Sequence, residues 1–208
     1  MRDVARGLGL HVGPTKHDIA RFASGEPLQF PPGTQSRYSN LGYLLLGLAA
    51  EKAAKTEYMT ALTSHVTAPL GIDAVFLART RKDQRLDREG YYDQPGRGLT
   101  PEFPDREVLA PLPYGGGGYL TESMDSVAGL AASAGAVARL IGHYAVSGYG
   151  RRRKGQTMAR SGLMSGTTCF AISRADGLDV CLVLNTKNLA IDTVTLEITR
   201  VLDAARLA

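Results

Sequence analysis

An apolar run at residues 41–48 constrains the fold of this chain more than any other segment. It follows Pro31-Pro32-Gly33, which is typical of a rigid turn, and then Tyr38-Ser39-Asn40. Apolar residues occupy every side of a helix drawn through this run, so the helix has no polar stripe. The pattern therefore predicts a buried helix that ends near Lys55. It places a phenol and a carboxamide at the turn where that helix begins.

Two interpretations are open for Tyr38 and Asn40. An Asn directly before a helix commonly caps it, and a neighbouring Tyr commonly packs against the protein. A phenol can also relay a proton, and an amide can hold an acyl substrate. A polar turn at the end of a buried helix suits catalytic groups, so both residues are candidate site residues.

The composition favours a soluble globular protein. The chain has 208 residues, of which 44% are hydrophobic and 21% charged, and this length suits a single domain. Its net charge of +4 includes basic stretches at 79–88 and 151–154 that lack interleaved aromatic residues, so we expect no nucleic-acid partner. No apolar run reaches the length of about 18 residues that a membrane span needs, so we expect no membrane partner.

Neither a cofactor nor a metal is expected. Two cysteines, Cys169 and Cys181, lie in apolar strand-like segments and are predicted to be buried free thiols. Free thiols fit a reducing compartment, and we predict a cytoplasmic location. The nearest pair of histidines, His11 and His17, does not have a metal-binding spacing, and the chain has no phosphate loop or dinucleotide fingerprint.

The order of elements predicts an α+β fold with helices packed on an antiparallel sheet. We expect a mainly helical region at 1–150, with a long irregular loop at 79–118, and then a strand hairpin plus C-terminal helix at 157–208. The predicted strands are 168–174 and 178–184. Helix caps are predicted at Thr15, Thr56 and Asp192, and an amphipathic helix is predicted on Val137, Leu140, Ile141 and Tyr144. The helix that Asp192 would cap is the last one, with Val194, Ile198, Val201, Leu202 and Ala205 facing inward.

Two segments carry a resemblance to a known family. Residues 32–47, around Tyr38-Ser39-Asn40, resemble the Tyr-x-Asn motif of the serine hydrolases related to class C β-lactamases, carboxylesterases of that type and DD-peptidases. Arg160-Ser161-Gly162, within 159–168, is similar to the family's Lys-Thr-Gly or His-x-Gly motif, which begins a strand lining the active site. The resemblance implies a single, partial β-lactamase-like domain over residues 1–208.

The resemblance also implies roles for six residues. Tyr38 would relay a proton, Asn40 would contact the substrate amide, and the Leu163 backbone N–H would donate to the oxyanion. Arg160, Ser161 and Gly162 would bind substrate. Arg160 departs from Lys or His, because it cannot give up a proton, although it can hold a carboxylate. By itself, Arg-Ser-Gly is also compatible with an Arg on an ordinary strand edge.

The family's Ser-x-x-Lys motif is absent from this chain, since no serine has a lysine three residues later. The resemblance therefore implies that the N-terminal part of the fold is missing. We expect a serine hydrolase of ester or amide acyl substrates, esterase-like, that has little or no activity in this chain. The alternative is an inactive binding or scaffold protein. Ser39 and Ser161 have no visible base partner. The expected partners are a small acyl substrate and either further copies of the chain or a complementary N-terminal fragment.

Overall fold

The computed structural model describes residues 2–80, 82–90, 120–145, 155–164, 167–185 and 191–206. Its helices are α1 (Arg2–Gly7), α2 (Lys16–Ser24), α3 (Asn40–Ala54), α4 (Tyr58–Leu62), α5 (Ala134–His143) and α6 (Ile191–Arg206). Its strands are β1 (Val75–Leu77), β2 (Leu130–Ala132), β3 (Met158–Met164), β4 (Thr167–Ser173) and β5 (Asp179–Leu184). Most of the predicted loop at 79–118 and the basic segment 151–154 lie outside the described residues.

The strands form two antiparallel sheets. A three-stranded sheet has the order β3-β4-β5, and α5 and α6 pack on it. Its core includes Phe170 and Ile172, which are 4% and 5% exposed. The predicted α+β class, with helices on an antiparallel sheet, is confirmed. The pair β1–β2 was not predicted, because each strand is too short to show an alternating pattern.

Helix α3 begins and ends as expected but is not buried on every side. Leu44 is 1% exposed, and α3 packs against α2 and α4. In contrast, Tyr43, Leu45 and Leu46 are 49%, 47% and 65% exposed. The prediction of an all-round buried helix is therefore wrong. Apolar residues lie all around the helix, but neighbouring elements pack against only one of its sides.

One of the three predicted caps is confirmed. Asp192 is not a cap, because α6 already begins at Ile191 and Asp192 lies in its first turn. The Thr15 side chain accepts the Asp18 N–H at 3.2 Å, and the Asp18 carboxylate accepts the Thr15 N–H at 3.0 Å, which is a capping box. Thr56 does not cap α4, because that position is taken by Glu57, which makes no side-chain cap bond. The first N–H of α4, on Tyr58, donates instead to the Glu51 carboxylate at 2.8 Å.

Helix α6 differs from the predicted orientation at two residues. Val201 is 64% exposed and Ala205 is also exposed, whereas Ile198 and Leu202 are half-buried. The helix therefore packs on β4 through only some of its apolar residues, and the contact is narrower than the apolar pattern predicted. Within the described residues, no helix combines the length and apolarity needed to cross a membrane.

Candidate active site

Ser39, rather than Asn40, caps α3. Its backbone is extended, with φ −141° and ψ 117°, and its hydroxyl accepts the Gly42 N–H at 3.1 Å. Asn40 is the first residue of the helix, so its carboxamide is not used as the cap. The interpretation of Asn40 as an N-cap is wrong, because the residue before it has the extended backbone that a cap needs. The Asn40 amide is exposed.

The phenol ring of Tyr38 stands in solvent. Its residue is 78% exposed, and its ring centroid lies 5.6 Å from that of Tyr43, with the ring planes tilted by 41°. Tyr43 belongs to the first turns of α3, and its carbonyl accepts the Ser126 hydroxyl at 3.1 Å. Tyr38 thus packs against α3, and a hydrogen bond from Ser126 holds the start of α3 in place. The hydroxyl at the ring edge is open to a ligand.

The backbone of Leu163 faces the open edge of the larger sheet. Among the described strands, β3 pairs with β4 alone and is therefore an edge strand. The Arg174 N–H donates to the Leu178 carbonyl at 2.9 Å, so the peptide groups of even-numbered residues along β4 point toward β5. Thr168 is one of these residues, and it lies opposite Leu163. The N–H of Leu163 must therefore point away from β4, into the space beyond the sheet edge. An oxyanion donor requires this orientation.

Arg160 and Ser161 are exposed on the same strand. Within the part of the chain that the structure describes, the Arg160 guanidinium has no ion pair and the Ser161 hydroxyl has no hydrogen bond. A free guanidinium can bind a carboxylate in a bidentate manner, and a free hydroxyl can donate to an acyl substrate. Both side chains are therefore available for the substrate contacts predicted for them.

Gly162 has a structural reason to be glycine. A Cβ placed on it would lie 2.8 Å from the Cys169 sulfur, directly across on β4. Cys169 is exposed as a residue, but neighbouring groups partly desolvate its thiol and raise its pKa above the ordinary value, with a smaller opposing effect from the Gly162 backbone. The thiol is consequently protonated at neutral pH and packs against the strand. Because Gly162 has no side chain, a ligand can also approach the backbone of β3 closely at this position.

No hydrogen bond or ring contact among the described residues joins the Tyr38–Asn40 turn to β3. That the two segments line one cleft therefore stays a prediction. Among the described residues, no three or more His, Cys, Asp or Glu side chains are grouped so that they could hold a metal ion. Cys169 and Cys181 are free thiols, but Cys169 is exposed and Cys181 is half-buried. The prediction that both are buried is therefore wrong, because successive residues of a strand alternate between its faces and Cys169 lies on the face of β4 opposite the buried Phe170.

A buried ionic junction was missed in the sequence. The Lys16 ammonium contacts the Glu51 carboxylate and, at 2.6 Å, the Asp125 carboxylate. The three side chains are 12%, 14% and 9% exposed. Burial alone would lower the pKa of Lys16, but hydrogen bonds and charge from Asp125 and Glu51 outweigh it and raise the pKa above 10.5. No spacing signals this junction, because its members lie far apart in sequence.

Comparison with known proteins identifies the family. The family model described as Beta-lactamase matches residues 3–185. Protein flp of Staphylococcus aureus strain MW2 is 33% identical over 85 residues, which make up 41% of this chain and 16% of that protein.

Solved structures show the same fold. The D-amino acid amidase of Ochrobactrum anthropi SV3, complexed with L-phenylalanine amide, superposes with a TM-score of 0.62 at 15% identity, over 94% of this chain and 65% of that one. The octameric penicillin-binding protein homologue from Pyrococcus abyssi gives 0.61 at 16% identity, over 97% and 51%. This chain thus spans less than two thirds of the length of each of these relatives. At such identities the likeness shows the fold, which is β-lactamase-like. Because the family model covers most of its length, the chain belongs to the Beta-lactamase family.

Proposed function

We propose that this chain carries the substrate-binding side of a serine-hydrolase acyl-transfer site. It would bind ester or amide acyl compounds, with an esterase-like preference, and turn them over slowly or not at all. The observation that carries the proposal is the outward-facing N–H of Leu163 on the open edge of β3. It is the backbone donor that an acyl oxygen would need, and it lies at the strand position that the family resemblance selects.

The other groups fit the same chemistry. Acyl transfer needs a nucleophile, a base to activate it and donors for the tetrahedral oxyanion. Tyr38 supplies an exposed phenol for proton relay, and Asn40 an exposed amide for the substrate. Arg160 supplies a cation that has no ion pair among the described residues and could bind a substrate carboxylate or the developing negative charge. The chain lacks the family's nucleophile, because it contains no Ser-x-x-Lys motif.

Neither exposed serine of the site is a good replacement nucleophile. The Ser39 hydroxyl is engaged as the N-cap of α3. The Ser161 hydroxyl has no lysine or histidine bonded to it among the described residues. Without a base, a serine hydroxyl is a weak nucleophile at neutral pH. Loss of the nucleophile removes most of the rate and leaves binding and polarisation.

The second candidate is a binding or scaffold protein that uses the same surface without turnover. It is favoured by the groups that are intact, namely the exposed amide of Asn40 and the exposed guanidinium of Arg160, which forms no ion pair with a described residue. The related D-amino acid amidase was solved with L-phenylalanine amide, so an aromatic amino-acid amide is a suitable first ligand. The proposal includes a cytoplasmic location, which the two free thiols support.

Hydrolysis of a short-chain nitrophenyl ester tests turnover. We expect the wild-type chain, Ser39→Ala and Ser161→Ala all to remain at the rate of the uncatalysed reaction. Robust hydrolysis that disappears in either variant would show a replacement nucleophile and overturn the proposed lack of activity.

Titration with phenylalanine amide, followed by amide NMR, tests binding. The expected result is a set of shift changes at residues 38–40 and 160–163 that Asn40→Ala weakens. A matched control is Arg139→Gln, since Arg139 is an exposed arginine that donates to the Gly71 carbonyl on another part of the surface. Equal affinity of the wild type, Asn40→Ala and Arg139→Gln for the amide, or no binding by the wild type, would contradict the proposed binding function.

A further inference from the structure

Three residues on one side of α3 are held by groups from other parts of the chain. Tyr43, Gly47 and Glu51 follow one another at four-residue spacing, so they lie on the same side of the helix. The Ser126 hydroxyl donates to the Tyr43 carbonyl at 3.1 Å, and a Cβ on Gly47 would lie 2.6 Å from the Ser126 Cβ. The Glu51 carboxylate binds the Lys16 ammonium. Helix α3 is therefore held at both ends of this side.

Asp125 joins the two points of attachment. One of its carboxylate oxygens accepts the Ser126 N–H at 2.6 Å, and the other accepts a hydrogen bond from the Lys16 ammonium at 2.6 Å. The Asp125 side chain is buried, so these bonds are stronger than they would be in water. Tyr43 and Glu51 lie roughly 12 Å apart along the helix axis. A helix held at two points this far apart cannot slide along its axis without breaking one of the contacts.

The Asp125–Ser126 pair also lies close in the chain to elements of the larger sheet. Residues 120–145 are described without a gap, and they run from this pair through β2 to α5, which Ser133 caps. Helix α5 packs on β4 and β5, and these strands share a sheet with β3. The pair therefore lies on a continuous stretch of chain that contacts α3 at one end and the sheet at the other.

We infer that Asp125 and Ser126 are positioning residues of the candidate site, because they fix the start of α3 that presents Tyr38 and Asn40. Asn40 is the first residue of the helix and moves with it. The Tyr38 ring packs against the Tyr43 ring at a centroid distance of 5.6 Å, so it follows the residue whose carbonyl Ser126 holds. A displacement of about 1 Å is enough to weaken a site strongly. The importance for a ligand rests on the proposed function, whereas the effect on the geometry of the turn does not.

Loss of the Ser126 hydroxyl should move the turn more than it destabilises the fold. The Tyr43 carbonyl belongs to α3 and keeps its helical hydrogen bond when the Ser126 hydroxyl is removed. A second serine of the same segment offers a contrast, because the Ser123 hydroxyl donates to the Pro14 carbonyl at 2.7 Å. Pro14 is fully buried, so its carbonyl would lose a partner that water does not replace. Ser123→Ala should therefore cost more stability, although its hydrogen bond does not involve α3.

The experiment is NMR of the full chain with isotope-labelled tyrosine rings, in which Tyr38→Phe assigns the Tyr38 signals. We expect a nuclear Overhauser effect between the Tyr38 and Tyr43 rings in the wild type. Ser126→Ala should weaken this effect and shift the Tyr38 ring signals. It should also raise the dissociation constant for phenylalanine amide about fivefold, which corresponds to the loss of one hydrogen bond of about 1 kcal/mol. Ser123→Ala is the matched control and should leave the ring signals and the affinity unchanged.

Two changes at Asp125 test its part separately. Asp125→Ala removes the acceptor of the Ser126 N–H and should shift the Tyr38 signals as Ser126→Ala does. Asp125→Asn keeps an acceptor oxygen for that N–H but removes the charge that faces Lys16. It should restore the ring contact while the protein stays less stable in urea denaturation, a combination that a purely structural role of Asp125 does not give. If the Asp125 variants fail to fold, Ser126→Ala and Ser123→Ala decide the inference by themselves.

Unchanged Tyr38 signals in Ser126→Ala would overturn the inference, as would equal shifts in Ser123→Ala. An unchanged affinity of Ser126→Ala for the amide, with a wild type that binds it, would overturn it too. An Asp125→Asn protein whose Tyr38 signals match those of Asp125→Ala would contradict the role of Asp125. The ring contact is measured without ligand. If the wild type does not bind phenylalanine amide and the ring contact still depends on Ser126, the proposed function fails and the positioning of Tyr38 by Ser126 stands.

Discussion

At the scale of single residues, Gly162 shows how one position serves packing and the candidate site at once. Its missing side chain makes room for the Cys169 sulfur, which a Cβ would approach to 2.8 Å. Real Cβ atoms do not come so close to a neighbour, so a larger residue must displace the thiol. The bare backbone at Gly162 also leaves the strand open beside Leu163. Sequence motif and sheet packing therefore select glycine independently.

We expect Gly162→Ala to lower the free energy of unfolding by about 1 kcal/mol, because the added methyl forces the Cys169 side chain to move. Urea denaturation measures this. In the background of Cys169→Ala the same change should cost little, since the sulfur is gone, and the double-mutant cycle then gives a coupling of similar size. Gly135→Ala is the control: a Cβ there meets nothing within 4 Å, so no loss is expected. An additive cycle would show that the contact with Cys169 is not the cause.

At the scale of elements, α3 combines a fixed side and an open side. Gly47 on the fixed side lies against Ser126, where a Cβ would come within 2.6 Å of the serine Cβ. The Ser126 hydroxyl also donates to the Tyr43 carbonyl at 3.1 Å. These contacts set the depth at which the helix sits. They also fix the start of the helix, where Tyr38 and Asn40 are presented.

Gly47→Ala should destabilise the protein by about 2 kcal/mol, although alanine is the better helix former, because the methyl overlaps a packed side chain. Gly42→Ala in the same helix is the matched comparison. Its Cβ would meet the Ser39 Cβ at an ordinary 3.6 Å, so a small gain of about 0.5 kcal/mol is expected. Thermal unfolding of both proteins decides the matter. Ser126→Gly should recover part of the loss from Gly47→Ala, and equal behaviour of the two alanine variants would contradict the packing described.

At the scale of the whole molecule, Lys16 joins elements that are remote in sequence. It starts α2, its ammonium meets Glu51 of α3, and it binds Asp125 in the turn before β2. Glu51 in turn accepts the first N–H of α4, on Tyr58. One buried cation thus neutralises carboxylates that hold three helices and a loop together.

Replacing Lys16 with Met should destabilise the fold by about 3 kcal/mol, because two buried carboxylates lose their cation. The control is Arg21→Met, which removes a surface ion pair with Asp18 whose arginine side chain is 62% exposed. Such a pair contributes less than about 1 kcal/mol. Chemical denaturation of both variants compares them directly, and a similar small loss in each would rule out the junction as a major support.

The Lys16 junction also predicts a pH dependence. The folded-state pKa of Lys16 is raised above its ordinary 10.5 by hydrogen bonds and charge that outweigh burial. The stabilisation is therefore complete below that value and is lost as the pH rises through the folded-state pKa. The difference in unfolding free energy between wild type and Lys16→Met should be constant near neutral pH and shrink in strong alkali. A difference that instead shrinks first between pH 7 and 9 would point to another group.

Local patterns were sufficient for much of the fold. The capping box at Thr15, the strands of the hairpin around 175–177 and the amphipathic helix α5 all depend on neighbours within a few residues. The same holds for the Tyr38-Ser39-Asn40 turn before α3. Such features are fixed by backbone preference and periodicity, which a single sequence displays. The prediction of a cap at Thr56 failed because α4 begins one residue later than expected, after Glu57, and its first N–H donates to the Glu51 carboxylate of the preceding helix.

The sequence by itself determined the family and the α+β class, and it predicted which residues the candidate site would use. Only the tertiary structure decided that the Leu163 N–H points away from β4, beyond the edge of the sheet formed by the described strands, because that depends on which strands pair and in which register. It also decided which side of α3 is covered and that Lys16 meets Glu51 and Asp125. An apolar pattern in the sequence shows that a surface should be buried, but it does not show which element packs against that surface. Contacts between remote segments are set by how whole elements pack, and no local pattern encodes that arrangement.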